Sequence, residues 1–324
     1  MTPTPSQLTR AHTFQALHHA KRGFLLPNAW DAASARIFET AGFSALGTTS
    51  AGIAYARGRR DGQTLTRAEM CREVANIVDV VGVPVNADIE AGYGDAPDDV
   101  ARSVTAFVAV GAVGLNLEDG AGQVAQPLYS LEDQRRRLDA ARRAADASGV
   151  PVYLNARTDT YITGFGAGEE ERLAETIRRG RAYLEAGADS LFVPLLTDPG
   201  TIRRLRQALG GPVTVMAFPG APSVPALLDA GATRVSLGQS ALLAALGQLA
   251  RLAGELRDTG TYAAMEAAFY GFSEAEALFG APQAPPNGRG TSSGWETHAA
   301  EVPHGAAVQT PAGVCPQEKT ARGK

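Results

Sequence analysis

The sequence has only two cysteines, Cys71 and Cys315, and they stand far apart. Two isolated thiols exclude the disulfide frameworks of small secreted proteins, and their spacing does not match a thiolate zinc site. A reducing compartment such as the cytoplasm is therefore expected.

Long apolar runs are also missing. No window reaches the ~18 apolar residues of a membrane span, and the first residues, MTPTPSQLTRAHTF, lack the continuous apolar stretch of a secretory signal. The net charge is only -4, and the arginine-rich patches near 135–143 and 178–181 fall at helical spacing. Such patches favour solvated helix faces over a phosphate-binding surface. We expect a soluble protein that binds neither nucleic acid nor membranes.

Two short sequence motifs recur, and they separate helical from strand-like segments. One is a glycine beside an alanine before an apolar run, at Ala41-Gly42, Gly111-Ala112, Gly187-Ala188 and Gly231-Ala232. Glycine there is typical of a helix end, because it adopts a left-handed turn without steric cost. The other is a proline that opens an apolar run, at Val83-Pro84, Val150-Pro151 and Gly211-Pro212. The first residue of a strand tolerates proline, since no ladder hydrogen bond is lost.

Together with the run GFLLPNA at 23–29, the runs that follow these motifs make eight apolar segments. Each of them is followed by a stretch of helical periodicity. Eight such units predict a parallel sheet that is buried on both faces. A (β/α)8 TIM barrel is the expected α/β fold, and a doubly wound sheet is the alternative. We expect residues 1–280 to form one catalytic barrel domain with extra C-terminal helices. Residues 281–324, rich in Pro, Gly, Ser and Thr, are expected to be a disordered tail.

Acidic residues end two neighbouring predicted strands, at the face where TIM barrels carry their active sites. Asp88 and Glu90 end the third strand, NADIE, and Glu118 ends the fourth, NLE. Because side chains alternate along a strand, Asp88 and Glu90 are expected on one face, with Glu118 across the barrel mouth. Converging carboxylates need a cation, and oxygen ligands favour Mg²⁺ or Mn²⁺. Helix capping by the same acids is the alternative.

Arg157 stands alone at the end of the apolar fifth strand. A buried arginine requires an anion, and a carboxylate that contacts both prongs of the guanidinium is its best partner. That anion is either a substrate carboxylate or an internal one, Asp159 or Glu118. The turn at 48–52 offers hydroxyl groups and backbone amides that suit a carboxylate or an oxyanion.

Taken together, these segments resemble the isocitrate lyase/phosphoenolpyruvate mutase superfamily over roughly residues 10–250. The motifs that carry the resemblance are PNAWDAASARIFETAGFSALGTTSAGIA, ARGRRDGQTLTRAEM, NADIEAGYGD, LNLEDG and NARTD. The resemblance implies a barrel with magnesium at the strand ends, held by acidic residues partly through water. Asp88, Glu90 and Glu118 match those acids, and Glu118 is also expected to be catalytic. Arg157 matches the arginine that binds the substrate carboxylate, and it is also expected to be catalytic.

The resemblance also implies roles for residues in two further segments. Asp61, in ARGRRDGQ, matches the family's aspartate on the loop beside the metal and is expected to be catalytic. Thr49 or Ser50 matches the substrate-binding serine, and Ala51 adjoins them in the expected substrate-binding turn.

The sequence also departs from the known branches of the family. The stretch GAGQVAQPLYS after the fourth strand lacks the Lys-Cys-Gly-His-type loop of the lyases and the Lys-Thr-Asn-like motif of the phosphonate mutases. Phe192-Val193-Pro194 stands where the mutase branch has a histidine. We therefore expect a separate, short-loop branch, whose proton donor is Tyr129, Tyr55 or a metal-bound water.

The parts of the site that are present predict a magnesium-dependent lyase that cleaves or forms a carbon–carbon bond beside a 2-oxo carboxylate, through a metal-stabilised enolate. Oxaloacetate-like or 2-substituted malate-like acids are the expected substrates, and phosphonopyruvate-type mutase or hydrolase chemistry is one alternative. A phosphate-binding barrel or an idle scaffold is another, since glycine turns follow the last two strands. The apolar helices after residue 239, together with the resemblance, imply a homodimer or homotetramer.

Overall fold

Nine short parallel strands form one sheet in the computed structural model, which describes residues 3–122 and 127–280. The strands are β1 (Phe24–Leu26), β2 (Asn28–Ala29), β3 (Leu46–Thr48), β4 (Val85–Asp88), β5 (Gly114–Glu118), β6 (Tyr153–Arg157), β7 (Ser190–Val193), β8 (Val213–Met216) and β9 (Arg234–Ser236). Their order is β1-β9-β8-β7-β6-β5-β4-β3-β2, with every neighbouring pair parallel. The sheet is a TIM barrel, which confirms the fold expected from the alternating pattern.

The first predicted strand, at 23–29, is divided in two. Pro27 separates β1 from β2 because proline has no N–H to donate to a ladder. β1 pairs with β9 and β2 pairs with β3, so this single segment joins both edges of the sheet. The expectation of one continuous strand was therefore wrong, although the number of β/α units was right.

Helices surround the sheet and follow its strands in turn. They are α1 (Pro5–His19), α2 (Ala32–Thr40), α3 (Ser50–Ala56), α4 (Arg67–Val80), α5 (Pro97–Ala109), α6 (Leu131–Ala147), α7 (Glu169–Glu185), α8 (Pro199–Leu209), α9 (Val224–Asp229), α10 (Ser240–Thr259), α11 (Ala263–Glu266) and α12 (Phe272–Phe279). Over the described ranges, none of these helices has both the length and the hydropathy needed to cross a membrane.

The glycines that end the helices behave as their spacing predicts. Gly111 after α5 has φ +97° and Gly187 after α7 has φ +98°. A side chain at either position would be strained, so these glycines end the helix and turn the chain into the next strand.

The extra helices expected after the last strand are present as α10, α11 and α12. The last of them returns to the barrel, where the Leu278 carbonyl oxygen accepts a hydrogen bond from Arg36 Nε on α2 over 3.1 Å. The segment predicted to be a disordered tail, 281–324, lies outside the described residues.

Helix α1 covers the amino-terminal end of the barrel. Phe14 and His18 on this helix are buried, and the His18 ring stacks on Tyr153 at the start of β6, with centroids 3.7 Å apart. His18 Nδ1 donates to the Phe14 carbonyl oxygen over 2.8 Å. Its Nε2 is therefore left as an acceptor, and it lies 3.4 Å from Nη1 of Arg234 on β9.

The buried position of His18 predicts a dependence of stability on pH. Burial, and next the positive charge of Arg234, lower the pKa of His18 to about 3. Between that value and ~6.5 the unfolded chain binds a proton at His18 that the folded chain does not, so stability falls as the pH falls. His18→Gln should remove about 1.4 kcal/mol of this loss per pH unit in that window. Urea unfolding of both proteins at several pH values checks this, and parallel pH profiles would refute it.

Candidate active site

Asp88 ends β4 in the carboxyl-terminal mouth of the barrel, where it is buried. Its backbone N–H donates to Thr48 Oγ1 over 2.9 Å. Its carboxylate oxygen Oδ2 accepts from the Ser50 hydroxyl over 2.8 Å. The neighbouring strand β3 and the first residue of α3 therefore both hold this acid in place.

The two hydroxyl groups of the turn after β3 have separate roles. Thr49 is the N-cap of α3, and its Oγ1 accepts from the Gly52 N–H over 3.2 Å. Ser50 instead directs its hydroxyl to Asp88, and Ala51 is buried in the first turn of the helix. Of the residues predicted to bind substrate in this turn, Ser50 is thus the one whose side chain reaches the acids.

Glu90 reaches the mouth in a way that the alternation rule did not predict. β4 ends at Asp88, and Glu90 lies in the following turn with a left-handed backbone, φ +49°. The expected placement of both acids on one strand face is therefore wrong. The Glu90 carboxylate accepts hydrogen bonds from the Gln63 amide and from Tyr93 Oη, the latter over 3.2 Å.

Asp61 lies on the exposed loop between α3 and α4 and faces the same mouth. Its Oδ1 accepts from the Gly62 N–H over 2.9 Å. Desolvation by the surrounding protein raises the pKa of Asp61, and the negative charge of Asp88 raises it further. Two residues further along the same loop, the Gln63 N–H donates to Glu90, so the loop lies beside the acids that follow β4.

Arg157, the last residue of β6, is held by two acids. Its Nη1 lies 2.7 Å from Oε2 of Glu118, which ends β5. Its Nε and Nη2 donate to the two carboxylate oxygens of Asp159 over 2.6 and 3.0 Å. Both internal anions considered from the sequence therefore contact Arg157, and Asp159 occupies the two-pronged side of the guanidinium.

The mouth carries much more negative than positive charge. Burial raises the pKa of Glu90 to about 7, and the charge of Asp88 adds to this effect. Burial also raises the pKa of Glu118 well above its usual value, against the opposing effect of Arg157. Such shifts indicate that these carboxylates do not all ionise readily together, and a bound cation would relieve their repulsion.

The donor atoms suit a hard divalent cation. The groups described above offer carboxylate and hydroxyl oxygens, which favour Mg²⁺ or Mn²⁺ over softer metals. Within residues 3–122 and 127–280, no three acidic, histidine or cysteine side chains form a ready-made group of metal ligands. Mg²⁺ usually retains several waters, so a site in which one or two carboxylates bind directly and others through water fits this arrangement.

Asp119, the residue after β5, has a structural role. It is fully buried, and its Oδ2 accepts hydrogen bonds from the Thr158 hydroxyl, the Tyr183 hydroxyl and Arg179 Nη1. Its Oδ1 accepts from the Asp159 backbone N–H over 2.9 Å. Asp119 therefore fixes the turn that carries Asp159, and through it the position of Arg157.

The tyrosines considered as proton donors differ in their surroundings. Tyr129 Oη donates to Asp95 over 2.5 Å, and burial together with this bond raises its pKa to about 12. Tyr55, on α3, is largely exposed. Tyr93, which the sequence reasoning missed, donates to Glu90 and stands three residues after it in the motif EAGYG. Residues 123–126 of the loop that precedes Tyr129 lie outside the described part of the chain.

An apolar side chain adjoins the charged half of the mouth. Phe192 on β7 is in register with Arg157 and is buried. The Arg157 Cζ atom lies 6.0 Å from the centroid of the Phe192 ring. The barrel mouth is therefore lined by acids and a guanidinium on β4 to β6 and by an aromatic ring on β7.

Comparison with known proteins finds relatives over most of the chain. The sequence profile of the phosphoenolpyruvate phosphomutase family matches residues 14–257. An uncharacterised protein of Mycobacterium tuberculosis is 35% identical over 247 residues, which span 76% of this chain and 89% of that protein. The 2,3-dimethylmalate lyase of Eubacterium barkeri is 29% identical over 212 residues, which span 63% of this chain and 70% of the lyase.

A solved structure shows the same architecture. A crystal structure from Burkholderia cenocepacia, provisionally assigned as a lyase/mutase, superposes with a TM-score of 0.81 at 38% identity. The match covers 86% of this chain and 98% of the other.

Proposed function

Because the chain belongs to the isocitrate lyase/phosphoenolpyruvate mutase superfamily, a group of carbon–carbon lyases and mutases, we propose that it is a magnesium-dependent lyase that acts beside a 2-oxo carboxylate. The observation that carries the proposal is the group of acids around Asp88 next to the Arg157 guanidinium. Acids that hold a cation and a guanidinium that holds a carboxylate meet the two needs of a reaction that develops negative charge beside a carboxylate.

The acids have two roles in this proposal. Asp88, Glu90 and Glu118 would hold Mg²⁺ or Mn²⁺, with Asp88 and Glu118 as the expected ligands. When bound, the ion supplies Lewis-acid stabilisation of the negative charge that develops on the substrate. Asp61 lies on the loop between α3 and α4, and a carboxyl group whose pKa is raised suits proton transfer, which supports a catalytic role for it.

Arg157 and Ser50 are the proposed substrate-binding side chains. The two-pronged side of Arg157 now contacts Asp159, so a substrate carboxylate binds there by replacing Asp159. Glu118 contacts Nη1 from the other side and keeps the guanidinium oriented. The Ser50 hydroxyl, which contacts Asp88, is the second group proposed to bind the substrate.

Carbon–carbon chemistry is favoured over phosphorus–carbon chemistry by the segment that ends β7. Phe192-Val193-Pro194 stands where the phosphonate mutases that the chain resembles have a histidine. None of these three side chains offers a hydrogen-bond donor to a phosphonate oxygen. We therefore propose oxaloacetate-like or 2-substituted malate-like acids as substrates.

A substrate screen tests the proposal. The purified enzyme is incubated with 2-oxo and 2-hydroxy di- and tricarboxylates and with phosphonopyruvate, and release of pyruvate, glyoxylate or carbon dioxide is measured. We expect turnover of at least one carboxylic acid that stops on chelation and returns with Mg²⁺, and at least ~10-fold lower kcat/KM for phosphonopyruvate. Preferred turnover of phosphonopyruvate would contradict the assignment of the bond that is broken.

Assembly into a homodimer or homotetramer in the cytoplasm is part of the proposal. Helices α10 to α12 expose several large apolar side chains, among them Leu249, Phe269, Tyr270 and Phe272. A concentration of exposed apolar side chains in one segment is typical of a contact between subunits, which supports a second copy of the chain as its partner.

A further inference from the structure

Arg234 is a cation inside the barrel, beneath the mouth. It is the first residue of β9, and its side chain has no exposed surface. It contacts the interior face of β4 and β5, since its Nη1 lies 3.4 Å from Asn86 Oδ1 and its Nη2 lies 2.9 Å from Asn116 Oδ1. The guanidinium therefore sits near the barrel axis.

The partners of Arg234 are all uncharged. Among the described residues its hydrogen-bond partners are the two asparagine oxygens and His18 Nε2, the acceptor nitrogen of a neutral imidazole. Asn116 Oδ1 also accepts from the amides of Asn86 and Asn155, over 3.1 and 2.8 Å. A polar layer thus solvates the guanidinium, but no adjacent carboxylate neutralises it.

A buried charge without a counter-ion is costly, so its retention calls for a compensating anion at longer range. The register of the sheet identifies one. Asp88 is the direct neighbour of Asn116 across the β4–β5 pair, and neighbouring strands are about 5 Å apart. Glu118 follows two residues after Asn116 on the same strand, so its side chain lies on the same face, about 7 Å further up. Arg234 therefore lies directly below the acids of the mouth.

We propose that the charge of Arg234 acts on the site above it. It raises the affinity of the site for an anionic ligand and lowers its affinity for the divalent cation. Among the described residues, five acidic side chains, Asp61, Asp88, Glu90, Glu118 and Asp159, lie in the mouth with the Arg157 guanidinium as the cation beside them. An excess of acidic over cationic groups disfavours a dianionic substrate. A fixed positive charge beneath the mouth reduces that effect, because low-dielectric surroundings transmit a charge over several ångströms. This inference rests on the proposed function.

The test uses two opposite effects of a single charge. Arg234→Gln keeps hydrogen-bonding groups but loses the charge, and Arg234→Lys keeps the charge. Calorimetry measures the Kd of Mg²⁺ alone and the Kd of oxalate, a small dianion, at saturating Mg²⁺. Thr214→Val is the matched control, because Thr214 Oγ1 donates to Asn155 in the same layer, over 3.4 Å, and carries no charge.

For Arg234→Gln we expect the oxalate Kd to rise about tenfold and the Mg²⁺ Kd to fall by a similar factor, as loss of one positive charge several ångströms away predicts. Arg234→Lys should restore both values to within about threefold, and Thr214→Val should leave both nearly unchanged. Weaker binding of both oxalate and Mg²⁺, or no change in either Kd, would overturn the inference. A packing defect is not expected to shift the two affinities in opposite directions, whereas the loss of a charge is. Wild-type enzyme that binds neither ligand would overturn the proposed function itself.

A failure of Arg234→Gln to fold does not end the test. Arg234→Met keeps an unbranched side chain and removes the buried charge together with its desolvation cost. Asn116→Asp places a carboxylate on the guanidinium in the intact chain, and it should raise the oxalate Kd and lower the Mg²⁺ Kd in the same way. Unchanged affinities in the variant that folds would overturn the inference.

Discussion

Asp88→Asn is expected to lower kcat/KM by about 1000-fold or more while the protein stays folded. The substitution keeps the size of the side chain and its contact with Ser50, but it removes the negative charge proposed to bind the metal directly. A metal that stabilises developing charge contributes several kcal/mol, and ~4 kcal/mol corresponds to about 1000-fold in rate. Steady-state kinetics at saturating Mg²⁺ on the best substrate of the screen measures the effect.

The matched control is Asp98→Asn, which removes an exposed carboxylate from the first turn of α5. It should leave kcat/KM within about twofold of wild type, as most surface substitutions do. Near-normal activity of Asp88→Asn would mean that this acid has only a structural role at the end of β4.

Arg157→Lys is expected to lower kcat/KM by about 2–4 kcal/mol, which is roughly 30- to 1000-fold. Lysine keeps the charge but cannot contact both oxygens of a carboxylate in one plane. Because Arg157 also contacts Glu118 and Asp159, we expect a loss of stability of about 1–3 kcal/mol as well. Kinetics and urea unfolding of the same preparation separate the two effects.

Arg204→Lys provides the comparison for this variant. Arg204 contacts both oxygens of Glu170 on the outer helices and is largely exposed. Exposed ion pairs contribute little, so its kcat/KM and stability should both stay close to wild type. If Arg157→Lys lowers stability but leaves kcat/KM near wild type, Arg157 is only the structural partner of Asp159 and Glu118, and substrate binds elsewhere.

The barrel was predictable because its signals are local. A glycine such as Gly111 ends a helix through its own backbone, and a proline such as Pro84 opens a strand by lacking an N–H. The division of the first strand at Pro27 was not predictable in this way. Pro27 marks the break, but the pairing of one half with β9 and of the other half with β3 joins segments that are far apart in the chain.

The candidate site was predictable where its residues end strands. Asp88, Glu118 and Arg157 are the last residues of β4, β5 and β6, as the ends of the apolar runs indicate. Glu90 was misplaced because the strand stops two residues before it. The sequence does not distinguish Thr49 from Ser50 as the substrate-binding residue. The structure shows that Thr49 caps α3, whereas the Ser50 hydroxyl contacts Asp88.

Arg234 was missed for a different physical reason. A strand that is buried on both faces does not show by its pattern which residues point to the barrel axis, because both faces are apolar. The run TRVSLG therefore reads as an ordinary strand with one arginine at its start. Only the contacts with Asn86, Asn116 and His18 reveal that the arginine points inward.

The most direct test of the central claim, a divalent metal site at the strand ends, is calorimetric titration of Mg²⁺ and Mn²⁺ into wild type and Asp88→Ala. Wild type should bind one ion per chain, and Asp88→Ala should bind it roughly 100-fold more weakly, because a direct carboxylate ligand is lost. Equal metal affinity in the two proteins would contradict the site proposed here.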